Sequence, residues 1–238
     1  MRSLRTAAQR GIRICLVAMA AGVGAQGCAR LSMDEGGRVS GSMRYLALGD
    51  SYTIGEGVEP AERWPVQLAA LLRARGLDVG DPQIIARTGW TTDELAAGID
   101  AARPSGPYAL VSLLIGVNNQ YRGHAVDAYR AELRALLQRA IAFAGGDAGR
   151  VLVVSIPDWG VTPFAEGRDR AQVAREIDAY NAVGREIAGE LGAHWVDVTP
   201  TSRQMAGAVV GDGLHPSGAQ YREWAELAFP EALAALGR

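Results

Sequence analysis

Residues 44–55 read RYLALGDSYTIG. The apolar run Tyr45–Leu48 is too short for a helix, does not alternate, and ends on Gly49. A short unbroken apolar run bounded by a turn residue fits a strand buried on both faces, which is the situation in a parallel sheet. Working outward, comparable runs lie at Gln83–Ala86, Tyr108–Ile115, Arg150–Ile156 and His194–Val198. Between them the apolar spacing turns helical, over about 64–75, 92–102, 125–144, 170–191 and 217–236. In the third of these Tyr129, Leu133, Leu136, Leu137 and Ile141 recur every three or four residues and mark one buried face. Thr91-Thr-Asp-Glu94 and Ser217-Gly-Ala-Gln220 both fit a capping box, in which side chains satisfy the free N–H groups of a first helical turn. Five strands alternating with helices predict a parallel five-stranded sheet covered on both sides, a three-layer α/β/α sandwich. Periodicity does not give the strand order.

In an open parallel sheet, ligands bind beyond the carboxyl ends of the strands, so the residues after each strand carry the chemistry. The first strand is followed by Gly49-Asp50-Ser51-Tyr52, the second by Arg87-Thr88-Gly89-Trp90 and the third by Gly116-Val117-Asn118-Asn119. Near the carboxyl end of the chain stands Asp212-Gly-Leu-His215-Pro216, just ahead of the last helix. Acyl transfer needs a nucleophile, a base, a group that orients the base and donors for the developing oxyanion. Ser51 fits the first role and His215 the second. Asp212, three residues before His215, can reach the imidazole Nδ1–H, fix its tautomer and stabilise the cation. The backbone N–H groups of Ser51 and Gly89 and the side-chain amide of Asn118 are the expected oxyanion donors, each worth roughly 3–4 kcal/mol in the transition state. Taken singly each motif has a bland reading as a turn; their order at successive strand ends does not.

That order, Gly-Asp-Ser, then Gly, then Gly-x-Asn, then Asp-x-x-His, resembles the four blocks of the SGNH subgroup of GDSL hydrolases, on Ser51, Gly89, Asn118 and His215. The resemblance spans residues 44–237 and implies a flavodoxin-like sandwich and an ester hydrolase that uses neither metal nor cofactor. Ile115–Gly123 (IGVNNQYRG) and Ser155–Phe164 (SIPDWGVTPF) look like a bacterial branch of that family. Two positions depart from the pattern. Tyr52 stands in place of the Leu of the family name, and Asn119 stands where some members carry Asp. The second change is expected to alter hydrogen bonding behind the site while leaving Asn118 in place.

The 238 residues suit one catalytic domain with a leader, and 48% hydrophobic content is enough for a sizeable core. A formal charge of −2 gives no basic surface for nucleic acid. Residues 1–27 differ from the rest: Arg2, Arg5, Arg10 and Arg13, no acidic residue, and then the apolar run ICLVAMAAGVGA from Ile14 to Ala25. This is the pattern of an export signal, and twelve residues rise only ~18 Å as a helix, short of the ~30 Å hydrocarbon layer. Cys28 follows Ala25-Gln26-Gly27, which is similar to a bacterial lipobox, although that motif favours Leu and a small residue where Ala25 and Gln26 stand. Lipidation at Cys28 would anchor the chain to a membrane; simple secretion is the alternative. Cleavage before Cys28 removes Cys15 and leaves one cysteine, so no internal disulfide could form. Residues 28–43, polar and rich in glycine, read as a flexible tether ahead of a domain over 44–238.

Other side chains have mostly structural readings. His124 and His194 are expected to begin a helix and a strand, without an acidic partner at useful spacing, and no ligand set for a metal is evident. Trp90, Tyr121, Trp159 and Phe164 fall in segments expected near the active edge and could line a pocket or shield the core. Arg122 is expected to be salt-bridged or solvated, with an anionic substrate group as the alternative. Asp158 is a weak rival to Asp212. The ester would be borne by a small molecule or a polymer. Against this stands a non-catalytic envelope binding protein that keeps the fold, which the complete set of motifs disfavours. A nucleotide-binding relative would need a glycine-rich phosphate loop that no strand here precedes.

Overall fold

The computed structural model describes residues 32–33 and 39–238. The expected leader 1–27, Cys28 and much of the expected tether lie outside the described residues. Within the tether, β1 (Ser32–Met33) pairs antiparallel with β2 (Val39–Ser40). Ser42 and Met43 are already fastened to the domain, their N–H groups donating to the Asp78 carboxylate and carbonyl (both 2.9 Å).

The main sheet contains β3 (Tyr45–Gly49), β4 (Gln83–Ala86), β5 (Leu110–Leu114), β6 (Val151–Val154) and β7 (His194–Val196), in the order β4-β3-β5-β6-β7. All neighbours are parallel. The predicted strands at 108–115, 150–156 and 194–198 are each shorter than expected: Tyr108, Ile115, Ile156 and Val198 leave the ladder while remaining buried, and Arg150 and Asp197 leave it exposed.

The helices are α1 (Ser51–Ile54), α2 (Trp64–Ala74), α3 (Thr92–Ala102), α4 (Val117–Tyr121), α5 (Val126–Phe143), α6 (Arg170–Leu191), α7 (Thr199–Gln204) and α8 (Gly218–Ala235). Right-handed crossovers place a helix on one face when the chain steps one way along the sheet and on the other face when it steps back. The step from β3 to β4 through α2 runs opposite to those through α3, α5 and α6. Accordingly α2 packs with α8, while α3 packs with α5 and α5 with α6. This is the three-layer α/β/α sandwich of flavodoxin-like order. Its core runs through the fully buried β3, β5 and β6 and the inward faces of the helices, with Trp64, Trp224 and Tyr221 under the α2–α8 layer.

Thr91 caps α3 as expected, with Glu94 Oε2 accepting the Thr91 N–H (2.9 Å). At α8 only half of the predicted box forms. Ser217 Oγ accepts the Gln220 N–H (3.4 Å), but the Gln220 amide donates instead to the Met205 carbonyl (3.0 Å), tying α8 to the end of α7.

The chain steps from β3 to β4 on one side and then crosses back to β5 on the other side of β3, which creates a topological switch point between β3 and β5. The loops after β3 and β5 diverge there and leave a crevice at the carboxyl edge. The backbones are close at this point: a Cβ on Gly49 would lie 2.4 Å from the Leu114 carbonyl. Glycine lets β3 turn into α1 beside the end of β5.

Candidate active site

Ser51 is the first residue of α1 and is buried. Asp50 caps this short helix, its Oδ1 accepting the Tyr52 N–H (3.0 Å). The Asp50 side chain is itself sealed from solvent, with Oδ2 unpartnered among the described residues. Burial pushes its carboxyl up to about 7, against the pull of the Tyr52 N–H.

Asp212 and His215 are brought together by one turn. Asp212 Oδ1 accepts the N–H groups of Leu214 (2.8 Å) and His215 (3.0 Å), while Oδ2 meets His215 Nδ1 at 2.6 Å. A bridge between Val209 and Pro216 closes the loop behind them. The three-residue spacing thus serves two ends: one carboxylate oxygen folds the Asx turn and the other orients the ring. Partial burial opposes ionisation of Asp212, but the His215 side chain and the two backbone N–H groups outweigh it and hold the carboxyl below its ordinary value. With Nδ1–H engaged, the Nε2 lone pair of His215 is left without a hydrogen-bond partner among the described residues. The imidazole is nearly enclosed, and its ring lies 5.6 Å from that of Tyr52.

Ser51, Gly89, Asn118 and His215 line one cavity of about 160 Å³, together with Tyr52, Thr88, Val117 and Leu214. Ser51 and His215, distant in sequence, therefore face the same space, although no hydrogen bond joins their side chains among the described residues. The N–H groups of Ser51 and Gly89 have no acceptor among the described residues. Gly89 has φ +84°, a backbone that favours glycine, and the loop is pinned by Arg122, which donates to the Gly89 carbonyl (2.6 Å). The Asn118 amide donates to the Trp90 carbonyl (2.9 Å), which fixes its plane at the cavity wall. Ser51, Gly89 and Asn118, the three residues expected to supply oxyanion donors, thus border one cavity.

Arg122 is salt-bridged to Glu94 (3.3 Å), the structural reading anticipated for it. Asn119 does act behind the site: fully buried, it accepts the Thr92 N–H (3.1 Å) and donates to the Thr92 hydroxyl (2.6 Å). Asp158 is committed elsewhere, to the Gly160 N–H (2.9 Å) and Arg203 (2.8 Å). Tyr121, Trp159 and Phe164 line the cavity, whereas Trp90 does not; its indole lies over Gly98 of α3. Two expectations about the remaining histidines fail. His124 precedes α5 by two residues instead of opening it, and His194 has an acidic partner, Glu231 of α8, at 2.7 Å. Thr88, Val117 and Leu214 were not singled out from sequence, and Tyr52 only as a departure from the family pattern, yet all four lie within or beside the motif blocks.

The sequence matches the GDSL-like lipase/acylhydrolase family over residues 47–223. No curated protein sequence matches the chain. Among solved structures the chain is similar to TesA, with 24% identity, a TM-score of 0.64, and 79% of this chain and 97% of that one covered. It is also similar to the psychrotrophic esterase EstA from Pseudoalteromonas sp. (18% identity, TM-score 0.64, 82% and 99% covered). A third similar structure is the acetylxylan esterase Axe2 from Geobacillus stearothermophilus (22%, 0.59, 84% and 96%). These likenesses bear on the fold, and the family match extends from β3, through all four motif blocks, into α8. This chain belongs to the GDSL-like lipase/acylhydrolase family and is a serine carboxylic-ester hydrolase.

Proposed function

We propose that Ser51 is the nucleophile, His215 the general base and acid, and Asp212 the residue that orients it, in hydrolysis of a short-acyl ester. The observation that carries this reading is the His215 Nε2, unpartnered among the described residues, at the cavity that Ser51 also lines, with Nδ1 held by Asp212. Ser51 Oγ attacks the ester carbonyl as Nε2 takes its proton. The oxyanion is received by the N–H groups of Ser51 and Gly89 and by Asn118, and the imidazolium, stabilised by Asp212, returns the proton to the departing alcohol. Water then repeats the sequence on the acyl-serine and frees the acid.

A cavity of about 160 Å³ holds on the order of five water-sized groups, which favours acetyl or slightly longer acyl chains over fatty ones. The alcohol belongs to a carbohydrate or lipid ester of the cell envelope, with the enzyme exported and held at a membrane through lipidated Cys28. The basic start, the twelve-residue apolar run and the lipobox-like residues before Cys28 support that placement. Mass spectrometry of the mature amino terminus tests it: a diacylglyceryl mass on Cys28 is expected, and a mature chain lacking any lipid would overturn the anchor.

The catalytic reading is tested by Ser51→Ala, which should lower turnover of phenyl acetate at least ~10³-fold in a folded protein. A phosphonate ester should label the unmodified chain at Ser51; EstA is described as inhibited by monoethylphosphonate. Undiminished turnover in the folded variant would remove the assignment.

A further inference from the structure

The wall formed by Tyr121 and Trp159 has two sides. One faces the cavity that holds Ser51; the other lines a second pocket of about 310 Å³ with Gln120, Arg168, Gln172 and Glu176. We propose that this second pocket is a subsite for the alcohol half of the substrate, and that this alcohol is a saccharide. The inference rests on the esterase reading of the adjoining site and narrows its substrate class.

The chemistry changes from one side of the wall to the other. The Ser51 cavity is mostly apolar and small. The neighbouring pocket presents a prearranged polar chain: Trp159 Nε1 donates to Gln120 Oε1 (2.8 Å), Gln120 Nε2 to Glu176 Oε2 (2.6 Å), and Gln172 Nε2 to Glu176 Oε1 (2.8 Å). These bonds hold the Glu176 carboxylate in place and leave it lone pairs for further donors. Arg168 makes no ion pair among the described residues; its guanidinium lies 5.8 Å from the Tyr121 ring centre and reaches the Tyr121 hydroxyl at 3.4 Å. Fixed acceptors beside a guanidinium with unused donors match hydroxyl groups, which both give and accept hydrogen bonds. An alkyl chain there would desolvate the same groups without pairing them.

The rim supplies the complementary apolar element. Only three large apolar side chains are exposed among the described residues, and two of them flank this wall: Tyr121 (47%) lines both pockets and Phe164 (42%) lines the Ser51 side. Their rings and that of Trp159 form a cluster with centres 5.4–6.2 Å apart. Exposed aromatic faces next to fixed polar groups suit a pyranose ring, which has a C–H face and a hydroxyl edge. A saccharide lying over Tyr121 would place an acylated oxygen toward Ser51 and its free hydroxyls toward Glu176 and Arg168. Its released oxygen would take the proton from His215, as any alcohol would.

The test compares an O-acetylated disaccharide with phenyl acetate as substrates for the full mature chain. The saccharide ester is expected to have at least a tenfold higher kcat/KM. Glu176→Ala and Arg168→Ala should each lower the ratio between the two substrates about tenfold, through KM for the saccharide ester. The unacetylated disaccharide should inhibit phenyl acetate hydrolysis competitively, a readout that needs no variant. If phenyl acetate is hydrolysed but the saccharide ester is not preferred and the free disaccharide does not compete, the subsite assignment fails while the esterase reading stands. If neither ester is hydrolysed, the esterase reading fails and takes the subsite with it.

Discussion

Two histidines in this molecule are paired with carboxylates in nearly the same way, at opposite edges of the sheet. His215 Nδ1 lies 2.6 Å from Asp212 at the carboxyl edge; His194 Nδ1 lies 2.7 Å from Glu231 at the amino edge. The amino edge even has the larger cavity, about 500 Å³, with His194 in its wall. What separates the pairs is the second ring nitrogen. His194 Nε2 is 3.0 Å from the Gly149 carbonyl, so both nitrogens are spent on tying β7 to α8 and to the loop before β6. His215 Nε2 is unspent and shares its space with a serine and three candidate oxyanion donors. A histidine–carboxylate pair is therefore a fastening in one place and a candidate base in the other. Cavity size does not tell them apart.

After removal of Ser51, the largest effect expected is that of Asp212→Asn. The amide oxygen can keep the two turn bonds to Leu214 and His215, so the loop should fold. The amide N–H₂ then faces Nδ1 and makes it an acceptor, which drives the imidazole proton to Nε2, where it blocks uptake of the serine proton. We expect a loss of about 10²-fold or more in kcat with little change in Tm, measured by steady-state kinetics and calorimetry. A kcat within threefold of the parent would show that Asp212 only shapes the turn and would erase the distinction between the two pairs.

Asp50 sharpens the comparison as a carboxyl that pairs with neither histidine nor arginine among the described residues. Its folded pKa of about 7 lies above the ~4 of an unfolded aspartate. Between these values the folded state keeps a proton that the unfolded state has released, so stability falls as pH rises through the window. Asp50→Asn preserves the Oδ1 that accepts the Tyr52 N–H and removes the titration. The variant should gain on the order of a few kcal/mol relative to the parent at pH 8, and almost nothing at pH 4. Denaturant midpoints across that range check this; parallel curves for variant and parent would contradict it.

Much of this was legible because the sequence carries local physical signals where helices begin and end. Residues 92–102 and 170–191 are helical over the range their spacing predicts: Thr91 and Asp169 cap one end, and Gly192 closes the longer helix in a left-handed turn. Helices α1, α4 and α7 span six residues or fewer and show no period, so only coordinates reveal them. Ser51, Gly89 and Asn118 were readable because each follows a strand, and parallel strands deliver their carboxyl ends to one edge whatever their order; Asp212 and His215 lie between α7 and α8 and were read from their own spacing. Of the two readings open for Trp90 the core-shielding one holds, for a related reason: adjacency to Gly89 gives its backbone a place at the site but not its side chain, which turns back over Gly98. Long-range partners left no sequence trace. Glu231 is 37 residues from His194, and Glu176 is 56 from Gln120.

The smallest effect should come from Glu231→Gln. Here the second nitrogen decides the outcome. A neutral ring that keeps Nε2–H on the Gly149 carbonyl has a lone pair at Nδ1, and a glutamine amide can donate to it. The pair therefore survives the change, in contrast to Asp212→Asn, where the same exchange places the proton on the nitrogen that must receive one. Glu231 is also substantially exposed, so solvent screens whatever charge interaction is lost, leaving at most about 0.5 kcal/mol. Turnover should stay within twofold and Tm within about 2 °C. A tenfold fall in kcat at unchanged Tm would mean that the amino edge of the sheet communicates with Ser51, and the division between fastening and base would no longer hold.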